Sequence, residues 1–303
     1  MENNVILQTH NLRKTYRNLT AVEDVNITVR KGDVFGFLGP NGAGKTTTIA
    51  MLLGLLHPTG GEVKILGKKV TPNRNKILRH VGAFVGATPA LIPHLSARKN
   101  LQLMASLYPD LPKNRVKVVL EMVGLSNVAR RKTETFSTGM KQRLGMALSI
   151  LHQPQLLILD EPTNGMDPAG MQEMREIIKT LSTEGVTVFL SSHLLYEVEQ
   201  VCDRIAVLNR GKLIAQGTIA EMRGEQKNLR VKVKDVENAF TALEALPNAT
   251  HIGKNKDYLD IRGVDGELVI KTLCDRGIYP SEVFYTGNDL ENLFLELTKQ
   301  EEK

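Results

Sequence analysis

The chain has 303 residues, 42% of them hydrophobic and 24% charged, which is ordinary globular composition with room for one large domain and a small one. The net charge of +6 is a mild bias; Lys and Arg occur along the whole length, and with 5% aromatics and no Trp there is no sign of a basic, stacking surface for nucleic acid. Cys202 and Cys274 are too few for a disulfide framework and suit a reducing compartment, and no apolar run reaches the length that spans a bilayer.

In chain order, Met1-Glu2-Asn3-Asn4 lacks the basic and apolar regions of a secretory signal. Residues Val5 to Arg30 alternate, with β-rich segments around Val5–Leu7 and Val25–Val29, and Lys31-Gly32-Asp33 makes a turn. An apolar run, Val34 to Leu38, leads into a Gly-rich loop, and a helix is expected over Thr47 to Leu56. Strands follow at Glu62–Leu66 and His80–Val85. From about Leu91 to Gln153 the pattern is mostly helical: Leu101, Met104 and Leu107 share one face, as do Val116, Val119, Leu120 and Val123. This stretch reads as a helical insertion, about residues 88–153, between two strands of the core. Leu156–Leu159 is continuous and apolar, as in a sheet buried on both faces. A helix is expected at Ala169–Glu184, a buried strand at Val186–Leu190, a helix at Leu194–Cys202, and a closing hairpin from Arg204–Leu208 to Lys212–Gly217.

The composition turns polar at Gly224–Asn228, which sets a boundary between residues 1–224 and 225–303. Beyond it the order is strand (Leu229–Val233), helix (Val236–Leu246), strands (Thr250–Ile252 and Tyr258–Ile261), helix (Gly266–Arg276), strand (Tyr279–Tyr285) and a last helix (Asp289–Thr298). That is the β-α-β-β-α-β order of a ferredoxin-like module with a terminal helix. The helix, apolar at Leu290, Leu293, Phe294 and Leu297, has two uses: packing across a pair of modules, or covering its own sheet.

The Gly-rich loop reads Gly39-Pro40-Asn41-Gly42-Ala43-Gly44-Lys45-Thr46, the G-x-x-x-x-G-K-T pattern that holds nucleotide phosphates. Glycines let backbone N–H groups approach the phosphates, and the helix that follows points its positive end at them. Lys45 adds a charge near the β- and γ-phosphates, and Thr46 offers a hydroxyl to Mg²⁺. Leu156–Leu159 ends in Asp160-Glu161, two carboxylates at the C-terminal edge of a parallel sheet, where ligand sites lie. Asp160 can hold Mg²⁺ and Glu161 can polarise an attacking water; the plainer alternative is an acidic pair capping the next helix. Phe136 to Arg143 carries Ser137, a good N-cap, and Gly139 at a helix start, which can also bind an anion.

Taken in order, these stretches resemble the ATP-binding cassette (ABC) ATPases over about residues 5 to 220. Tyr16 sits like the aromatic that stacks on adenine. Gly39 to Thr46, with Thr47, matches the phosphate loop. Ser137, Thr138, Gly139 and Met140 open the signature motif, Ser137 to Gln142. Asp160-Glu161 matches the acidic strand end, Asn164 to Asp167 the D-loop, and His193 the switch histidine. Alone, each has a bland reading: Tyr16 a surface or core side chain, Asp167 a helix cap, His193 a satisfied polar residue. The resemblance implies a P-loop NTPase fold of the α/β class, with an antiparallel β subdomain, a helical subdomain and a small C-terminal α+β domain. It implies ATP and Mg²⁺ as cofactors, with Thr46 and Asp160 on the metal and Glu161 and His193 catalytic. Two copies would pack head to tail, Ser137 and Gly139 of one closing over ATP held by Lys45 of the other.

The form Ser-Thr-Gly-Met-Lys-Gln-Arg-Leu-Gly and the tail Leu290 to Thr298 are similar to ATPase subunits of drug, bacitracin and lantibiotic-immunity exporters. In that branch the permease is a separate membrane chain, so the resemblance implies a cytoplasmic subunit, peripheral on the membrane. Two departures stand out. Gly86 occupies the place where the family usually has Gln, and this branch often Glu, in a segment one residue longer than usual. Thr138 and Met140 replace the commoner Gly and Gln. The other readings are a soluble ABC ATPase of translation or DNA repair, and a regulatory cassette that does not hydrolyse ATP. The first usually needs two cassettes or a coiled-coil insertion; against the second stand Glu161 and His193.

Overall fold

Strand β1 (Val5–Tyr16) is the spine of an antiparallel sheet and runs well past the expected Val5–Leu7, because it has a partner on each side. It pairs with β2 (Leu19–Val25) and with β3 (Thr28–Arg30). The single strand expected over Val25–Val29 is interrupted at Asn26-Ile27. Asp24 takes a positive φ of 53°, and the Asn26 side chain accepts from Asn11 N at 2.7 Å and donates back to Asp24, turning the chain. After β4 (Val34–Leu38) comes α1 (Lys45–Leu52), then β5 (Gly60–Ile65), which closes the sheet on β1, and the short β6 (Lys68–Lys69). Helix α1 starts earlier than the expected Thr47 and stops well before Leu56. It begins directly on Gly44 and ends where Gly54 takes φ 65°, a left-handed stop.

The structure is a computed structural model and describes residues 4–71, 76–86, 89–223, 228–244, 246, 249 and 251–286. It divides into two units, Met1–Gly217 and Thr218–Lys303.

In the first unit β7 (Val81–Phe84) leads into the insertion. That stretch is helical only in part: α2 (Ala97–Ala105), α3 (Arg115–Met122) and α4 (Thr138–Ile150) are joined by loops and 3₁₀ turns. The core resumes with β8 (Leu156–Asp160), α5 (Pro168–Thr183), β9 (Thr187–Ser192), α6 (Leu195–Val201), β10 (Arg204–Asn209) and β11 (Lys212–Thr218). These strands form a six-stranded sheet in the order β11-β10-β4-β9-β8-β7, parallel from β10 to β7. Phe35 and Phe189 face each other in register, stacked with centroids 5.7 Å apart, and both are fully buried with Phe37. Each such ring contributes roughly 1.5–3 kcal/mol by leaving water. The strand order puts the ends of β4, β9 and β8 side by side.

The second unit holds α7 (Ile219–Arg223), β12 (Asn228–Lys232), α8 (Val236–Glu244), β13 (His251–Asn255), β14 (Tyr258–Arg262), α9 (Gly266–Asp275) and β15 (Glu282–Thr286). The sheet order is β13-β14-β12-β15, antiparallel throughout. Alternation sends Leu229, Val231, Leu259 and Ile261 into one core with Leu243 on α8 and Val269 on α9. Strand β15 begins after Pro280 rather than at Tyr279, since proline has no N–H to give a ladder. The helix expected at Asp289–Thr298 and the linker at Gly224 lie outside the described residues.

Candidate functional site

Three adjacent strand ends build the site. The loop after β4 turns on Gly39, where an added Cβ would meet Leu208 O at 2.3 Å. It closes on Gly44 at φ 106°, packed against Ala21 O. Any other residue at either place would collide with backbone. Gly39 N donates to Ser192 O at 3.2 Å, which joins the end of β4 to the end of β9.

Lys45 is buried at 5% exposure, and its Nζ donates to Gly39 O at 2.7 Å and Pro40 O at 3.2 Å. Its countercharge is Glu161, with Oε1 at 3.2 Å. The other oxygen, Oε2, lies 2.5 Å from His193 Nδ1. Lys45, Glu161 and His193 thus form one chain of contacts, although they come from β4–α1, β8 and β9. Asp160 is buried and held twice: Thr46 Oγ1 donates to Oδ2 at 3.1 Å and Ser191 Oγ donates to Oδ1 at 2.6 Å. Ser191 Oγ also accepts from Glu161 N at 3.1 Å. Glu161 has φ 51°, the left-handed region, so the backbone turns between the two carboxylates and aims them apart.

A second group gathers elsewhere. Ser137 caps α4, its Oγ accepting from Met140 N at 3.3 Å, and Asp167 caps α5, its Oδ1 accepting from Gly170 N at 3.1 Å. These are the capping roles that the residue types suggest. Between them, Gly139 packs near Met166 and Thr138 near Gly165, while Gln142 Nε2 reaches Asn164 O at 3.5 Å. Thr138, Gly139 and Gln142 are therefore neighbours of the Asn164–Asp167 turn, while Met140 is fixed through its N–H to Ser137. Tyr16 stands at the end of β1, 45% exposed, with Lys14 Nζ 5.1 Å from its ring centroid. Asn41, Gly42 and Thr46 are exposed along the loop, and Thr47 is half-buried.

Ser191 is the residue whose contacts sequence reasoning missed. Its signal was its register with Asp160 across parallel strands, which only the sheet order reveals. Gly86, the departure from the expected Gln or Glu, has φ 92° and open space around it. A side chain there would strain the backbone conformation but meet no crowding.

Among the described residues no cluster of three His, Cys, Asp or Glu could hold a metal by itself, and no helix is long and apolar enough to cross a membrane. A hydroxyl beside one carboxylate suits Mg²⁺, which keeps several waters and shares its shell with substrate phosphates.

The ABC transporter family model matches residues 22–164. The chain is 42% identical over 297 residues to an uncharacterized ABC transporter ATP-binding protein, YhcH, of Bacillus subtilis (strain 168), covering 97% of this chain and 96% of that one. It is 40% identical over 299 residues to the bacitracin transport ATP-binding protein BcrA of Bacillus licheniformis, covering 96% and 97%. A solved dimer of the ATP-binding cassette MJ0796, bound to ADP and phosphate in a post-hydrolysis state, matches with TM-score 0.64 and 26% identity, covering 71% of this chain and 99% of that one.

Proposed function

The chain belongs to the ABC transporter ATP-binding proteins, and from that premise we propose that it hydrolyses ATP to drive an exporter whose permease is a separate membrane chain. The observation that carries this is the linked set Lys45–Glu161–His193 beside Thr46–Asp160. ATP phosphates take the loop from Gly39 to Thr47, with the Lys45 ammonium on the β- and γ-phosphates. They compete with Glu161 for Lys45, so substrate binding releases Glu161 Oε1 from its countercharge. The carboxylate then accepts a proton from the attacking water. The His193 ring orients Glu161 through Nδ1 and leaves its far nitrogen for the γ-phosphate. Thr46 and Asp160 would hold Mg²⁺, which when bound neutralises phosphate charge. Tyr16 would offer an exposed ring to the adenine.

Ser137, Thr138, Gly139, Met140 and Asp167 complete the site of a second copy in a head-to-tail dimer. Supporting this, they form a group of their own around the Asn164–Asp167 turn. The subunit works on the cytoplasmic face of the membrane, bound to its permease. Bacitracin transport by BcrA supports a peptide antibiotic, drug or lipid-like cargo. Residues 225–303 act as an accessory module, with no part in the nucleotide chemistry. The test is ATPase activity of the purified protein, alone and reconstituted with a membrane permease that co-purifies with it. Absence of ATP turnover in both would sink the proposal.

A further inference from the structure

Although Lys and Arg occur throughout the chain, their excess is local. Residues 89–153 hold ten Lys and Arg against three Asp and Glu, a net of +7, whereas the whole chain is +6. The rest of the protein is therefore close to neutral.

The structure concentrates part of this charge on one face. The N-terminus of α2 and the segment 129–132 are tied by backbone bonds: Ala97 N donates to Arg131 O at 3.3 Å, Arg98 N to Ala129 O at 2.9 Å, and Ser96 bridges Lys132. The buried Asn100 side chain fixes the adjoining turn, accepting from Ile92 N at 2.8 Å and donating to Ser96 O at 3.1 Å. Arg98, Lys99, Arg130, Arg131 and Lys132 are thereby held together and exposed. Lys132 pairs with Glu134 at 3.5 Å, but among the described residues Arg98, Lys99 and Arg130 have no acidic partner. Apolar side chains continue the same face. Leu103, 51% exposed, lies one turn beyond Lys99 on α2. Leu107, 68% exposed, follows in the turn past the helix end at Ala105, and so does not share the face of the buried Leu101 as its spacing predicted.

We propose that this face, Arg98, Lys99 and Arg130 with Leu103 and Leu107, docks directly on the anionic headgroups of a lipid bilayer. Unpaired Lys and Arg on a rigid scaffold meet the negative surface, and the adjacent leucines enter the headgroup boundary. An acidic polypeptide would use the charges but would gain less from the two leucines. The proposal rests on the placement at a membrane given above, yet it needs neither permease nor nucleotide.

The test is sedimentation of the full chain with vesicles of phosphatidylcholine alone, and of phosphatidylcholine with about one-third phosphatidylglycerol, at roughly 0.1 M salt. The protein should sediment with the anionic vesicles and not the neutral ones, and binding should weaken as salt rises. The triple variant Arg98→Gln, Lys99→Gln, Arg130→Gln should bind at least about tenfold more weakly. The pair Leu103→Ser, Leu107→Ser should reduce the part of binding that salt leaves. All these side chains are exposed and lie outside the nucleotide loop, so ATP turnover in solution should match the wild type, which also reports folding. Failure of the wild type to bind anionic vesicles, or wild-type binding by the triple variant, would overturn the proposal. So would binding to polyglutamate in place of vesicles, which would make the partner an acidic protein. Loss of ATPase activity with vesicle binding intact would count only against the catalytic proposal.

Discussion

Lys45 Nζ and Glu161 Oε1 lie 3.2 Å apart, although their positions are 116 residues distant in sequence. The pairing follows from the order β4-β9-β8, which brings a loop and a carboxylate to the same edge. Under the proposed mechanism this contact would couple substrate binding to catalysis, because the cation that would receive phosphate is the one that holds the proposed base.

Lys45→Ala should abolish tight ATP binding. Hydrogen bonds to charged groups contribute about 1.5–3 kcal/mol, roughly 10- to 150-fold in affinity, and the half-buried Glu161 also loses its countercharge. Titration with a fluorescent ATP analogue measures this. Unchanged affinity would remove Lys45 from the phosphate site.

His193→Ala should lower turnover by about two orders of magnitude while leaving binding within a few-fold, since it removes one positioned donor. Steady-state kcat and KM separate the two effects. A pure KM effect would make the imidazole a binding group instead.

Much of this was legible in the chain. The apolar runs Val34–Leu38 and Leu156–Leu159 were readable because strands buried on both faces are continuous. Lys45 was readable from the Gly-rich loop that follows one such run and Asp160-Glu161 from the end of the other, whereas His193 was named only through the family resemblance. What the sequence hid depends on pairing. β1 was under-read because half of it alternates weakly and is stabilised by neighbours on both sides. Ser191 carried no signal of its own, since its two hydrogen bonds exist only when β8 and β9 lie in register. The concentration of charge near α2 was diluted by a nearly neutral remainder.

Gly86→Gln should not restore a metal ligand. At φ 92° a side chain strains the backbone, at a cost of about 1–2 kcal/mol. Thermal unfolding should show lower stability, and the Mg²⁺ dependence of ATPase activity should not improve. A variant that is equally stable and needs less Mg²⁺ would show that the loop relaxes around the new side chain.

His152 gives the first unit an acid-sensitive point. Burial pushes its imidazole below the ordinary value, and the neighbouring Arg115 and His80 push the same way, against the bond from Nε2 to Val81 O at 3.1 Å. The ring stacks on Tyr108 with centroids 5.0 Å apart. In the fold the ring stays neutral while the unfolded chain protonates near pH 6.5, so its contribution is full above about 6.5. It is lost as pH falls from there through the lower folded value. Urea midpoints at about pH 7.5 and 5.5 should differ more for the wild type than for His152→Gln. Equal differences would exclude this histidine as the cause.

The most direct test of catalysis is Glu161→Gln. The amide keeps the shape of the side chain but cannot take a proton from water, so ATP should still bind while turnover falls by about 10²–10⁴. ATP-loaded protein should accumulate as a dimer in size-exclusion chromatography. Wild-type hydrolysis by this variant would contradict the assignment of Glu161 as the base.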